Sequence, residues 1–86
     1  MSSNRQIIAD AAVRCGMMNK ETAEKCLQEN REIFLHTLHA WKLKYPDCKA
    51  KDGEEGMEVK LWKKNDDGKF YLAKSKLYRL DQIERK

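Results

Sequence analysis

The fold is decided by residues 57–73, whose sequence is MEVKLWKKNDDGKFYLA. Apolar and polar residues alternate on both sides of its centre, and a period of two is typical of a half-buried strand. Residues 65–68, Asn-Asp-Asp-Gly, are a turn signal between the two halves. The stretch therefore predicts a β-hairpin over 57–74. We expect an inner face, turned toward the helices, of Met57, Val59, Leu61, Phe70 and Leu72, and an outer face that includes Lys60, Trp62, Tyr71 and Ala73.

Positive charge is concentrated in the same part of the chain. Residues 57–86 contain nine Lys and Arg against five Asp and Glu, whereas residues 1–56 contain nine of each. The whole net charge of +4 therefore lies in the last third of the sequence. Lysines can neutralise phosphates while bases stack on neighbouring rings. We interpret the hairpin as a surface for nucleic acid or a nucleoprotein complex, built from Lys60, Trp62, Lys64, Lys69, Tyr71 and Lys74.

The same residues have an interpretation that needs no ligand. Lysines on an edge strand keep that strand from pairing with other chains. Trp62 and Tyr71 would then be a cross-strand pair that stabilises the ribbon. The sequence leaves both interpretations open.

A short helix is predicted at the start of the chain. Ser3 and Gln6 have the form of a capping box, and an apolar stripe with helical spacing follows them. Gly16 suits the left-handed residue that ends a helix. The sequence therefore predicts a helix over 4–15.

A second, longer helix is predicted over 20–44. Asn19 suits its N-cap, and the next residue that breaks a helix is Pro46. Its apolar stripe includes Phe34, Leu38 and Trp41, which we expect to pack on the hairpin.

The length of this predicted helix indicates self-association. Twenty-five residues span ~38 Å, whereas a domain of this size has a diameter of about 30 Å. The helix would therefore extend beyond its own domain, and a homodimer would cover this overhang. Leu35, His39 and Leu43 lie off the main stripe and are the predicted protein interface. Two further hypotheses follow: a small regulator or inhibitor acting through protein contact, such as a phage-type accessory protein, and a homo-oligomeric structural module.

The rest of the chain completes a single α+β domain over residues 1–86. A polar loop is predicted over 46–56. Residues 76–84 form a C-terminal element, for which the sequence allows either a short helix or a third strand.

Several classes of function are disfavoured by the residues present. No nucleophile motif, phosphate-binding glycine loop or pair of carboxylates in an apolar setting occurs, so we predict neither catalysis nor a cofactor. His36 and His39 have only Cys48 as a third ligand within reach, so no metal is predicted. No apolar run reaches the ~18 residues of a membrane span. Three cysteines and the absence of an export signal favour the cytoplasm, that of the host if the protein is viral.

Overall fold

The computed structural model describes residues 3–85, which form helices and antiparallel strands, and so the predicted α+β class is confirmed. The elements in chain order are α1 (Asn4–Arg14), α2 (Lys20–Gln28), β1 (Leu35–Thr37), α3 (Leu38–Lys44), β2 (Lys49–Ala50), β3 (Met57–Lys64), β4 (Phe70–Arg79), a 3-10 turn (Leu80–Gln82) and β5 (Ile83–Glu84).

Two antiparallel sheets organise these elements. The larger sheet has the order β1-β4-β3, so the long strand β4 is central. It pairs with β3 over residues 70–77 and with β1 over residues 77–79. The smaller sheet pairs β2 with β5.

The first two helices begin at the predicted capping residues. The hydroxyl of Ser3 accepts a hydrogen bond from the backbone N–H of Gln6 at 3.2 Å. The side-chain oxygen of Asn19 accepts one from the N–H of Thr22 at 2.8 Å. Each cap satisfies one of the backbone donors that a helix start leaves unpaired.

The prediction of one helix over 20–44 is wrong, because α2 ends at Gln28. Asn30 has φ of 56°, in the left-handed region that asparagine tolerates better than most residues. The N–H of Arg31 donates to the carbonyl oxygen of Cys26 at 2.9 Å. This is the 6→1 bond of a Schellman motif, which turns the chain out of the helix.

A strand and a new helix occupy the second half of the predicted helix. The strand β1 begins at Leu35, directly after Ile33 and Phe34, and α3 starts immediately after it at Leu38. Thr37 caps α3, since its hydroxyl accepts a hydrogen bond from the N–H of Ala40 at 3.2 Å. The overhang that favoured a homodimer is therefore absent, since the longest helix has 11 residues.

The main core lies between one face of the larger sheet and the first two helices. Val59, Leu61, Leu77 and Leu35 supply the sheet side of this core. The helix side comes largely from alanines, Ala9, Ala11, Ala12 and Ala23, each at most 4% exposed. Small side chains let helices approach a sheet closely. Phe34 was predicted to pack on the hairpin, but it is 49% exposed because the chain has already left helical geometry at this point.

A second, smaller core covers the opposite face of the same sheet near β1. Trp41 is fully buried there with Cys48 and Ile83. Its indole N–H donates to the carbonyl oxygen of Tyr78 at 2.8 Å, which attaches α3 to β4. The predicted burial of Trp41 is confirmed, but Trp41 packs on the face of the sheet opposite to the main core.

The C-terminal segment combines both predicted forms, a short helical turn and a further strand. Residues 77–79 continue strand β4, so the second strand of the hairpin is longer than predicted. The chain then makes the 3-10 turn and ends the described part in β5. Because β5 pairs with β2, the predicted polar loop 46–56 contains a short strand.

Within residues 3–85, no helix has the length and hydropathy needed to cross a membrane.

Candidate nucleic-acid interface

The turn of the hairpin contains three residues, whereas the predicted pairing of Trp62 with Tyr71 requires an even number of loop residues. The N–H of Asn65 donates to the carbonyl oxygen of Lys69 at 2.9 Å, and Asp66, Asp67 and Gly68 lie between these two residues. The backbone N–H of Gly68 donates to the backbone carbonyl oxygen of Asn65, and Gly68 has φ of 82°. A type I turn followed by a left-handed residue is a common three-residue hairpin loop.

This extra loop residue reverses the orientation of every side chain at the start of β4. A shift of one position moves each side chain to the other face of a sheet. Phe70 and Leu72 therefore lie on the outer face, whereas the sequence analysis placed them inside. Tyr71 and Ala73 share the inner face with Lys63 and Leu61, their cross-strand partners, so the predicted outer position of Tyr71 is wrong.

The predicted pairing of Trp62 with Tyr71 is wrong for the same reason. Trp62 lies directly opposite Leu72, and Tyr71 lies opposite Lys63. We define the outer face as the side chains of the hairpin that alternate with the buried ones: Glu58, Lys60, Trp62, Lys64, Phe70, Leu72, Lys74 and Lys76.

The outer face presents apolar groups to solvent. Phe70 is 66% exposed and Leu72 is 47% exposed, and Trp62 is partly exposed between them and the lysines. The ammonium of Lys64 lies 5.9 Å from the centroid of the Phe70 ring, within the range of a cation–π contact. Apolar rings and cations are thus intermixed on one surface.

Two lysines of the outer face lie directly opposite each other. Lys60 and Lys74 are cross-strand partners, and like charges in this arrangement destabilise a sheet. Glu58 lies 3.8 Å from the ammonium of Lys74, but both side chains are more than 60% exposed, so the ion pair contributes little. Within residues 3–85, no carboxylate forms an ion pair with Lys60. The positive charge of the pair Lys60–Lys74 is therefore only weakly compensated, by Glu58.

The backbone at Trp62 is held by the first turn of α1. The N–H of Trp62 donates to the side-chain oxygen of Asn4 at 2.7 Å, and the side-chain N–H of Asn4 donates to the carbonyl oxygen of Trp62 at 3.0 Å. The amide of Asn4 thus takes the place of a neighbouring strand residue at the edge of β3.

The structure brings together four of the six predicted nucleic-acid-binding residues. Lys60, Trp62, Lys64 and Lys74 share the outer face, Lys69 lies in the turn, and Tyr71 faces the other way. Phe70, Leu72 and Lys76 also lie on the outer face but were not predicted as site residues. The signal that identifies them is Gly68, since a glycine in the third loop position is typical of a three-residue turn.

The predicted protein interface is divided by the fold. Leu35 is only 1% exposed and belongs to the main core, so it is not available to a partner. The reason is that Leu35 lies in β1 rather than on a helix, with its side chain toward α1. His39 and Leu43 are exposed on α3, and Leu43 is 75% exposed.

The histidine of β1 has a partly buried ring that packs edge-on against a tryptophan. The rings of His36 and Trp41 have centroids 4.8 Å apart at an interplanar angle of 78°. The Nε2 atom of His36 is buried and lies 3.6 Å from a carboxylate oxygen of Glu32, too far for a hydrogen bond. Burial lowers the pKa of His36, while the charge of Glu32 raises it and that of Lys44 lowers it. Among residues 3–85, no three His, Cys, Asp or Glu side chains are grouped as metal ligands would be.

Comparison of this chain with protein-family models, with curated proteins and with solved structures finds no match.

Proposed function

We propose that this protein is a non-catalytic nucleic-acid-binding protein whose outer face contacts both phosphates and bases. The observation that carries the proposal is the like-charge pair of Lys60 and Lys74 beside the Trp62–Leu72 pair. Two ammonium groups on one face repel each other in the unbound protein. Phosphates bound to the two lysines would replace that repulsion with charge-assisted hydrogen bonds.

The order of the side chains along the hairpin supports the same ligand. Successive rows of one face are ~6.8 Å apart, twice the rise per residue of an antiparallel strand. The row Lys60–Lys74 is followed by Trp62–Leu72, and then by Lys64 with Phe70. Cations and apolar side chains therefore lie next to each other over a short distance. A nucleic acid presents phosphates and base faces in a similar alternation.

The acidic side chains of α2 lie away from this surface. Glu21, Glu24 and Glu29 are exposed on or just after this helix, which contributes Ala23 to the main core on the inner side of the sheet. The outer face is on the opposite side. This separation of charge favours approach of a polyanion to the outer face and disfavours approach to α2.

The decisive experiment measures how affinity for a labelled oligonucleotide depends on salt. The variant K60Q/K74Q removes two charges from the outer face. The matched control K20Q/K25Q removes two charges from α2. Binding is followed by fluorescence anisotropy between about 50 and 200 mM salt. We expect K60Q/K74Q to reduce the slope of log K against log salt by about 1.4–1.8, the value for two lost phosphate contacts. The control keeps the wild-type slope.

Two outcomes would contradict the proposal. The first is the absence of binding of any DNA or RNA to the wild-type protein at low salt. The second is an equal loss of slope in both double variants, because the lysines would then act only through net charge.

A second candidate function, contact with another protein or a second copy, depends on other residues. Phe34 is 49% exposed and Leu80 is 37% exposed, and both line one groove with Met17. This groove lies beyond the end of β4 that is remote from Phe70. Adjacent exposed apolar side chains are typical of protein interfaces. His39 and Leu43 on α3 stay candidates for the same role.

Sedimentation analysis tests the homodimer form of this second candidate. A dimer that the substitution Phe34→Ser converts to a monomer would support it. A wild-type chain that stays monomeric at high concentration would exclude self-association through this groove.

A further inference from the structure

An open groove of about 480 Å³ lies beside Trp62, between the hairpin and the start of α3. One end is lined by Thr37 and His39, where β1 passes into α3. Trp62 lines the other end. Lys74 and Lys76 line the middle, because β4 lies between β1 and β3 in the sheet. The volume is within the ~300–1,000 Å³ of sites for small organic groups.

We infer that this groove binds an unpaired base of a single-stranded nucleic acid. The base stacks against Trp62, while Lys74 and Lys76 bind the phosphates on either side of it. The inference rests on the proposed function and specifies its ligand as single-stranded.

The exposed apolar surface next to the groove favours a single strand over a duplex. A duplex presents phosphates and base edges, and its base faces are hidden by stacking. The outer face offers Phe70 and Leu72, which gain nothing from phosphates or from base edges that need hydrogen bonds. Unpaired bases have open faces that stack on such side chains.

The tip of the hairpin argues against insertion into a duplex groove. A two-stranded ribbon is narrow enough to enter a major groove. Here the tip carries Asp66 and Asp67, both exposed, which would face the phosphates of both strands. The side chains that usually recognise base edges are Arg, Lys, Asn and Gln. Of these the outer face contains only lysines. A single strand of nucleic acid that lies across the outer face avoids the acidic tip.

The far end of the groove supplies hydrogen-bonding groups for the edge of the base. The hydroxyl of Thr37 accepts a hydrogen bond from Ala40 and keeps its own proton to donate. His39 is exposed at the same end, and its imidazole can donate or accept. An unpaired base has a free Watson–Crick edge that such groups can bind.

The test compares single strands with a hairpin duplex that has the same number of phosphates. Single-stranded DNA and RNA of about 12 nucleotides match the site sizes of known single-strand surfaces. We expect the wild-type protein to bind the single strands about tenfold or more tightly than the duplex, the effect of one stacked base. Trp62→Leu removes this preference, and Trp62→Phe keeps most of it because a ring remains.

The contribution of the far end is tested by His39→Ala, with Leu43→Ala as its control on the same helix. Leu43 is exposed and does not line the groove. We expect His39→Ala to weaken single-strand binding several-fold, and Leu43→Ala to leave it unchanged.

The outcomes separate this inference from the proposed function. Equal affinity for single strands and duplex, unchanged by Trp62→Leu, would overturn the single-strand inference and leave the outer face as a general nucleic-acid surface. A single-strand preference that survives Trp62→Leu would place the base elsewhere and also overturn it. Loss of all binding to nucleic acid at low salt would overturn both.

Discussion

The side-chain amide of Asn4 pairs with both backbone groups of Trp62, at 2.7 and 3.0 Å. These residues are 58 positions apart in sequence, so the pairing joins the first helical turn to the hairpin. It holds the backbone of the edge strand at the residue that we place at the centre of the binding surface. A side chain that mimics a strand residue also protects that edge from other chains.

The substitution Asn4→Ala is expected to reduce both stability and binding. Loss of two hydrogen bonds to a part-buried backbone lowers the free energy of unfolding by about 1–2 kcal/mol. Nucleic-acid affinity falls as well, because the position of Trp62 is less well defined. Urea denaturation and anisotropy measure the two effects. Gln6→Ala is the control in the same turn, since the side chain of Gln6 bonds only to the exposed Asp10. Equal effects of both substitutions would show that the Asn4–Trp62 contact has no special role.

The substitution Lys60→Glu is expected to change stability and binding in opposite directions. It replaces a like-charge pair with an opposite-charge pair facing Lys74, which raises the free energy of unfolding by about 0.2–1 kcal/mol. It also places a negative charge on the outer face, so affinity for DNA and RNA falls. Thermal denaturation and anisotropy on the same sample provide the check. A variant that is less stable than wild type would contradict the cross-strand repulsion that we describe.

The orientation of β4 is tested by a pair of neighbouring substitutions. Phe70→Ser removes an apolar group from the outer face, and Tyr71→Ser removes one from the opposite side of the same strand. Both side chains are exposed by 46% or more, so neither change is expected to unfold the protein. We expect a several-fold loss of nucleic-acid affinity for Phe70→Ser and little change for Tyr71→Ser. The reverse order of effects would mean that the functional face carries Tyr71, as the sequence pattern predicted.

The substitution Gly56→Ala is expected to destabilise the junction between the hairpin and the smaller core. A Cβ atom at this position would lie 2.8 Å from Cβ of Lys76 and 2.8 Å from the ring of Tyr78. Overpacking of this kind costs about 1–3 kcal/mol, measured by urea denaturation. Gly53→Asn is the control, because the site is open and asparagine tolerates its φ of +81°. An unchanged midpoint for Gly56→Ala would show that the Tyr78 ring moves without cost.

Stability is expected to fall as the pH decreases through the titration range of His36. Burial lowers the pKa of this residue in the folded state below its ordinary value of 6.5. The unfolded chain therefore takes up a proton first as the pH falls, which favours unfolding. The loss begins near the unfolded pKa and continues until the pH reaches the lower folded pKa.

The variant His36→Gln is expected to flatten this pH dependence. Urea denaturation followed by circular dichroism at about pH 7.5 and 5.5 spans the ordinary pKa of histidine. The control His39→Gln changes an exposed histidine and keeps the wild-type difference between the two pH values. If wild type and His36→Gln lose the same stability, the carboxylates and not His36 control the response.

Features that depend on neighbouring residues in sequence could be predicted from the sequence alone. The caps Ser3 and Asn19 act within one helical turn, and the left-handed Gly16 ends α1 where expected. The hairpin follows from the period of two and from the turn residues near Gly68. The concentration of positive charge after residue 56 needs only a count. These properties depend on interactions between residues that are close in the sequence, and such interactions can be predicted from the order of the residues.

Features that depend on what packs against what were decided by the tertiary structure. Helical spacing of Phe34, Leu38 and Trp41 favoured one long helix. The Schellman motif at Asn30 instead let Leu35 enter the main core and Trp41 cover the opposite face of the sheet. Which structure forms depends on how much large side chains are buried on the two sides of the sheet. The spacing of apolar residues in the sequence does not give these amounts. The tertiary structure also decided which side chains form the outer face, because this depends on the number of residues in the hairpin loop. A strand has a side-chain period of two, so one added residue exchanged Tyr71 for Phe70 and Leu72 on the surface that we propose binds nucleic acid.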